Sequence, residues 1–275
     1  MQPSTLDTDT RAGAAYRFNR FGVALLIDDM TFSRDAPAPG DRIPAFDLVT
    51  VDGGRFRDTD LGGLPVLMVF GSRTCPVTES AVPVVRRLHA QFGDRVRFVL
   101  VNTREAHPGD DFGQPDTFVV KHRHAVQLRD HHAIDFEVAV DDIDGRLHRA
   151  MSPKPNSAYL IDPSGVIRYR AHWANDEAAL HSALTDMAAG RVPTRDVSRA
   201  MAGPLLRAVG HLPGIVRHAG RQVERDVWLA APPLALLGRL SQLFKPFPVD
   251  RRGSAALALL GVVVVSVLGV LFATH

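Results

Sequence analysis

The chain has 275 residues, 45% hydrophobic and 23% charged, which excludes a wholly disordered polymer and gives more length than one typical domain uses. Its formal net charge is only +2, yet residues 191–252 hold eleven Lys/Arg against four Asp/Glu, leaving 21 against 26 elsewhere, so the basicity is regional. The single cysteine, Cys75, rules out an internal disulfide and a zinc-ribbon site, suits a reducing compartment, and leaves any thiol chemistry to be completed by an outside partner.

In chain order, residues 1–35 read as a mixed extension with room for a short helix, and its first apolar stretch, 22–27, is too short for a signal-peptide core or a bilayer span. Ala36-Pro37-Ala38-Pro39-Gly40 marks a boundary, after which a compact domain is expected over 36–190. Residues 46–51 alternate apolar and polar like a half-buried strand, and Asp52-Gly53-Gly54 is a hairpin signal. Residues 65–70 (PVLMVF) read as a strand buried on both faces. Just beyond it lies Cys75, then an amphipathic helix over 76–92, with Ala81, Val85, Leu88 and Phe92 at helical spacing and Pro76 at its entry. A second central strand follows at 95–102, a helical stretch around 125–132, and short strands at 136–140, 158–161 and 166–170. A helix over 177–188 closes the series. This order describes a mixed central sheet with helices on its faces, an α/β thioredoxin-like fold.

The basic segment 191–252 contains helical stretches such as 217–229, with Arg217, Arg221 and Arg225 four apart, interrupted by Pro232-Pro233 and Pro246-Phe247-Pro248. It reads as a juxtamembrane segment, either solvated or in contact with anionic membrane lipid, where each basic side chain contributes ~1 kcal/mol. Few aromatics interleave with the basic residues and no binding motif accompanies them, so nucleic acid is not expected as a partner. Residues 254–273 are then twenty uncharged residues in a row, which as a helix span ~30 Å, the thickness of the hydrocarbon core. A transmembrane helix is expected over 253–275. Arg251 and Arg252 on its N-terminal flank predict a single-pass C-terminal anchor with the folded domain facing the cytoplasm.

A cysteine at the first turn of a helix has unpaired backbone N–H groups and the positive dipole end beside its sulfur, which favour thiolate over thiol. Cys75 is therefore the expected nucleophile, and a buried structural cysteine is the alternative. The segment resembles thioredoxin-fold redoxins, with Thr78 where a resolving cysteine would stand and Pro83 inside the helix. More specifically, VLMVFGSRTCP (66–76) followed by FVLVNTREAHPGDDF (98–112) is similar to the iodothyronine deiodinase family, which pairs an N-F-G-S-x-T-Sec-P turn with an E-A-H-P-x-D-G loop. That resemblance implies Cys75 in the place of selenocysteine, with Glu105 and His107 as the acidic residue and histidine of the loop, Glu105 orienting the ring of His107. It also implies His122 as a substrate-phenol histidine, with Arg123 and His124 leaving the register open, and Pro155 at the position of a cis-proline that presents backbone to substrate, in competition with Pro153. Thr78 joins the substrate-binding set.

The chain departs from the family in sulfur for selenium, in Phe112 after Asp110-Asp111 where the family has Gly-Trp, and in carrying its anchor at the other end. Met68 and Ser72 also break the P-x-x-x-T-x-x-C pattern of peroxiredoxins. The remaining histidines lack recognisable ligand spacing, so no metal is expected, and Trp173 is expected to cover the core. The reading is a membrane-anchored oxidoreductase whose lone thiolate reduces a disulfide, a peroxide or a halogenated compound. An external reductant, a low-molecular-weight thiol or thioredoxin, regenerates it, and no metal or nucleotide cofactor is implied. The alternative is a non-catalytic thioredoxin-like module tethered to the membrane for interaction or redox sensing.

Overall fold

The computed structural model describes residue 13 and residues 15–273. Its helices and strands run α1 (Val23–Asp29), β1 (Asp47–Thr50), β2 (Arg55–Arg57), β3 (Val66–Gly71), α2 (Pro76–Phe92), β4 (Arg97–Asn102), α3 (Phe118–His132), β5 (Glu137–Val140) and α4 (Arg146–Ala150). Then come β6 (Ala158–Ile161), β7 (Ile167–Ala171), α5 (Glu177–Ala188), β8 (Val197–Ser198), α6 (Ala202–Ala219), α7 (Arg221–Ala230), α8 (Pro232–Ser241) and α9 (Val249–Ala273).

One sheet carries all eight strands in the order β2-β1-β5-β4-β3-β6-β7-β8. β3 pairs parallel with β4 and antiparallel with β6, and β6 pairs antiparallel with β7. A parallel pair joined through α2, followed by an antiparallel pair and a closing helix, is the thioredoxin-like unit; β5 and the β1–β2 hairpin extend it on the β4 side. The two-residue period of β3 explains its uniformly apolar sequence. Leu67 and Val69 join the core beneath α2 and α5, while Val66, Met68 and Phe70 join Val99, Tyr159 and Phe56 on the other face.

The basic segment differs from its sequence reading. Residues 197–241 supply β8 on the sheet edge and three packed helices, and α6 lies against α2 rather than in solvent or lipid. Two of its arginines and one of its acids find protein partners. Arg207 Nη1 donates to the Asn175 carbonyl at 2.7 Å, Arg239 pairs with Glu224 at 2.8 Å, and Asp226 takes Arg20 from the N-terminal extension at 2.6 Å. Periodicity could not announce this, because the apolar face of α6 has its complement more than a hundred residues away.

The last helix begins at Val249, five residues earlier than the apolar run suggests, and is long and apolar enough to cross a membrane. Its first turns dock on α6 through two glycines. A Cβ on Gly253 would lie 2.0 Å from the Leu206 carbonyl oxygen, and one on Gly210 would lie 2.1 Å from that of Val249, so only glycine permits this approach. Further along, the apolar side chains from Val262 to Phe272 are largely exposed.

Candidate active site

Cys75 sits where the chain leaves β3 and enters α2. It is the N-cap, with extended backbone (φ −96°, ψ 116°), Pro76 in the first turn, and its Sγ accepting the Thr78 N–H at 3.4 Å. The amide environment expected from sequence is present, but its consequence is not. The side chain is only 1% exposed and packs among Val77, Ala106, Trp173 and Ala208. Burial pushes the thiol up to about 11; the Thr78 hydroxyl and the amides of Thr78 and Val77 pull it back only partly, and Asp29 pushes it further up. The expectation of a thiolate-favouring cysteine is corrected for this closed arrangement. Ala208 belongs to α6, so a segment remote in sequence excludes the water that would solvate the sulfur anion.

The loop after β4 is zipped onto the turn that carries Cys75. Glu105 is fully buried, its Oε2 accepting from the Thr74 amide at 2.8 Å and the Thr74 hydroxyl at 2.7 Å. The Ala106 amide donates to Ser72 Oγ at 3.2 Å and the His107 amide to Thr74 Oγ1 at 3.1 Å. Glu105 does not orient His107. Its Oε1 pairs instead with His124 Nδ1 at 3.0 Å, and the His124 ring lies 3.9 Å from that of Phe112. His107 rests against Phe21 at a ring separation of 4.4 Å, its Nδ1 without a hydrogen-bond partner among the described residues. Burial brings its imidazole down to about 4, opposed by the charge of Asp226, so at neutral pH the ring is uncharged.

Three further sequence assignments are revised. His122 is not the inward histidine: on α3 the buried positions are Lys121, His124, Ala125 and Leu128, and His122 projects toward Phe118. A helical wheel drawn through 121, 125 and 128 selects 124, because 122 is rotated off that face. Pro155 lies at the site, but no peptide bond among the described residues is cis, so it is a trans proline. Thr78 is fully buried behind the sulfur, its Oγ1 accepting the Ser72 amide at 3.4 Å, and it tunes the thiol rather than facing substrate.

Cys75, His107, Pro155 and Trp173 share an apolar cavity of about 80 Å³ whose roof is built from Leu205, Ala208 and Leu212 of α6. Trp173 both covers the core and lines this space, its Nε1 donating to Met201 Sδ at 3.2 Å. Asp29 and Met30 at the end of α1 add to the wall, and no local motif announced them. Burial raises the Asp29 carboxyl to about 7 against the pull of Arg104 and Lys154, with Asp28 adding to the rise. Lys154 Nζ donates to the Asp29 carbonyl and lies 4.3 Å from the centre of the Trp173 ring; burial lowers this ammonium to about 8. Carboxyl and imidazole on one cavity are thus displaced in opposite directions, which reverses their usual order of protonation.

These two groups predict opposite stability slopes with pH. A depressed imidazole contributes stability that is complete above ~6.5 and is lost as pH falls toward about 4. A raised carboxyl contributes stability that is complete below ~4 and is lost as pH rises through about 7. Between pH 7.5 and 5.0 they largely cancel. Relative to wild type, His107→Gln is expected to gain ~1–2 kcal/mol on acidification over this range and Asp29→Asn to lose about as much. Thermal midpoints of the full chain in detergent at the two pH values check the signs, and parallel shifts in both variants would refute the assignment.

The thioredoxin-like frame with its nucleophile position at the first turn defines a redoxin. Residues 23–161, half of the chain, match the family model of iodothyronine deiodinase. Thyroxine 5-deiodinase of Gallus gallus is 31% identical over 139 residues, a match covering 46% of this chain and 54% of that enzyme, so the chain spans about half the length of this relative. An uncharacterised conserved protein from Geobacillus kaustophilus superposes with a TM-score of 0.48 at 19% identity, over 61% of this chain and 90% of that one. A secreted Mycobacterium tuberculosis disulfide oxidoreductase does so at 0.35 and 19%, over 44% and 79%. The chain belongs to the iodothyronine deiodinase family.

Proposed function

We propose that the chain is a thiol-dependent reductase in which Cys75 is the sole nucleophile, carried by a C-terminal membrane anchor with the redoxin domain on the cytoplasmic side. The observation that carries the reading is the placement of Cys75 as helix N-cap on an enclosed cavity that also holds His107 and Asp29. The thiolate attacks the electrophilic atom X of a bond X–Y. The S–X bond forms, X–Y breaks, and its electron pair leaves on Y, which takes a proton. An uncharged His107 is a weak acid for that step, whereas the Asp29 carboxyl retains its proton into the neutral range and faces the same cavity, so Asp29 supplies the proton. An external thiol then attacks the Cys75 sulfur, the S–X bond breaks and X leaves as thiol, water or hydrogen halide, and a second thiol resolves the mixed disulfide, returning Cys75 as thiol and releasing the reductant as its disulfide. X is a disulfide sulfur, a peroxide oxygen or a halogen.

The anchor assignment draws on α9, long and apolar enough to span a bilayer, and the orientation on Arg251 and Arg252 at its start. The partners are a low-molecular-weight thiol or thioredoxin and membrane lipid. The burial of Cys75 favours a second reading, a tethered interaction or sensing module that does not turn over. One experiment separates them. The full chain in nanodiscs is incubated with hydrogen peroxide, a model disulfide or an iodinated phenol, each with excess dithiothreitol, and Cys75 is followed by mass spectrometry. Catalysis predicts multiple turnovers with at least one substrate, a transient adduct on Cys75, and no turnover in Cys75→Ser. No adduct and no turnover with all three leaves the sensing module.

A further inference from the structure

One turn into α2, away from the apolar cavity, Glu79 meets two histidines from the end of α3. Its Oε2 lies 3.1 Å from His131 Nε2 and its Oε1 3.7 Å from His132 Nε2, and one ligand atom from each of the three residues falls within 4.8 Å of the others. The His132 side chain is only 8% exposed, and its Nε2 is buried with no hydrogen-bond partner among the described residues although it faces the carboxylate. A buried polar nitrogen left without a hydrogen bond costs about 1–3 kcal/mol and asks what it is for.

We propose that Glu79, His131 and His132 form a binding site for a divalent transition-metal ion of the zinc class, with the fourth coordination position open to water. Two imidazole nitrogens and one carboxylate oxygen are the donor set of an open tetrahedral zinc site. At bond lengths of about 2.0–2.1 Å, tetrahedral donors stand about 3.3 Å from one another; here the two imidazoles approach different oxygens of Glu79, and one donor from each residue lies within 4.8 Å of the others, so small side-chain rotations close the triad on an ion. His131 is 41% exposed, so an ion has a path in from solvent. Arg73 modulates the site: its Nη1 holds Glu79 Oε1 at 2.6 Å, fixing the carboxylate while setting a positive charge beside the ion. The affinity is therefore moderate. Sequence spacing could not reveal the triad, because Glu79 precedes the histidine pair by 52 residues.

The test is titration of the untagged full chain in detergent with zinc by calorimetry, and with cobalt(II) by visible absorption. Expected are one zinc per chain with a dissociation constant in the micromolar range and a strong tetrahedral cobalt band. His131→Ala and His132→Gln should each weaken binding at least tenfold and abolish the band, while Arg73→Met should tighten it several-fold. Absence of saturable binding up to about 100 μM, roughly nine kT of binding free energy, overturns the proposal. So does binding that both histidine variants leave unchanged, which would locate the ion elsewhere among the twelve histidines. A variant that fails to fold is recognised by its lost thermal transition, and the Arg73→Met arm then decides: affinity unchanged in that protein also overturns the site.

Discussion

Substituting Ala208 by arginine is expected to raise the rate at which iodoacetamide modifies Cys75 at pH 7 by ten- to a hundredfold. Ala208 is buried in the cluster that encloses the sulfur, and an arginine there has neither room nor a counter-ion. Overpacking costs about 1–3 kcal/mol and a buried unpaired charge adds several more, enough to lift α6 from the site. The thiol then exchanges a value of about 11 for one near that of a free cysteine, ~8.5 or below. The thiolate fraction at pH 7 rises from ~1 in 10,000 to ~1 in 30, some 300-fold. A less basic thiolate is intrinsically less nucleophilic, which returns about tenfold of that gain. Release of the steric block adds to what remains. The rate is measured against pH with the adduct mapped to Cys75; wild type and Ala208→Arg are compared at matched folding, judged by circular dichroism. An unchanged rate and midpoint would mean that α6 does not control the sulfur. In the reverse sense, the wild-type cap shields the sulfur from solvent.

The contrast between what the residues announced and what they concealed follows from the range of each signal. β3 and α2 were legible because their periods, two and 3.6, are written in consecutive residues that pack on both faces of one sheet. α4 and the two-residue β8 are too short to show a period at all. The turn that carries Cys75 and the Glu105-containing loop were legible through two motifs, and the structure joins them by the Thr74 hydrogen bonds. The identity of the inward histidine was not, since His122 and His124 differ only by rotation about an axis whose buried face depends on β5 and the loop at Phe112. The state of the thiol was least legible. A helix N-terminus is a local cause with a magnitude of ~0.3–2 kcal/mol, and it loses to desolvation imposed by α1 and α6, at opposite ends of the chain. Composition registered α6 only as part of a basic stretch, although Arg207 is held by the Asn175 carbonyl and the apolar side of the helix forms the roof.

Removing the carboxylate that ties the loop to the turn should be the most damaging single change at the site. In Glu105→Ala the Thr74 amide and hydroxyl and the His124 ring all lose their acceptor in a place with no solvent. Three orphaned buried groups at about 1–3 kcal/mol each sum to ~3–9 kcal/mol, and even the lower half of that range is a large share of the ~5–15 kcal/mol that holds a domain together. A domain of this size loses ~2–4 °C per kcal/mol, which places the expected fall in thermal midpoint near ~10 °C. Turnover should fall by ~100-fold or more, because the same hydrogen bonds fix the Ser72-Arg73-Thr74 turn from which Cys75 projects. Glu105→Gln separates the two effects. Its amide has the right shape and one acceptor oxygen, which can serve Thr74, but its NH₂ meets His124 as a donor and can be satisfied only if the ring presents its unprotonated Nδ1. The glutamine variant should therefore keep most of the thermal stability and lose part of the turnover. Calorimetric midpoints and rates with hydrogen peroxide, a model disulfide and an iodinated phenol, collected for both variants, test the arrangement. An alanine variant with a wild-type midpoint would show that the loop is held by other means and that the buried carboxylate is not its fastening.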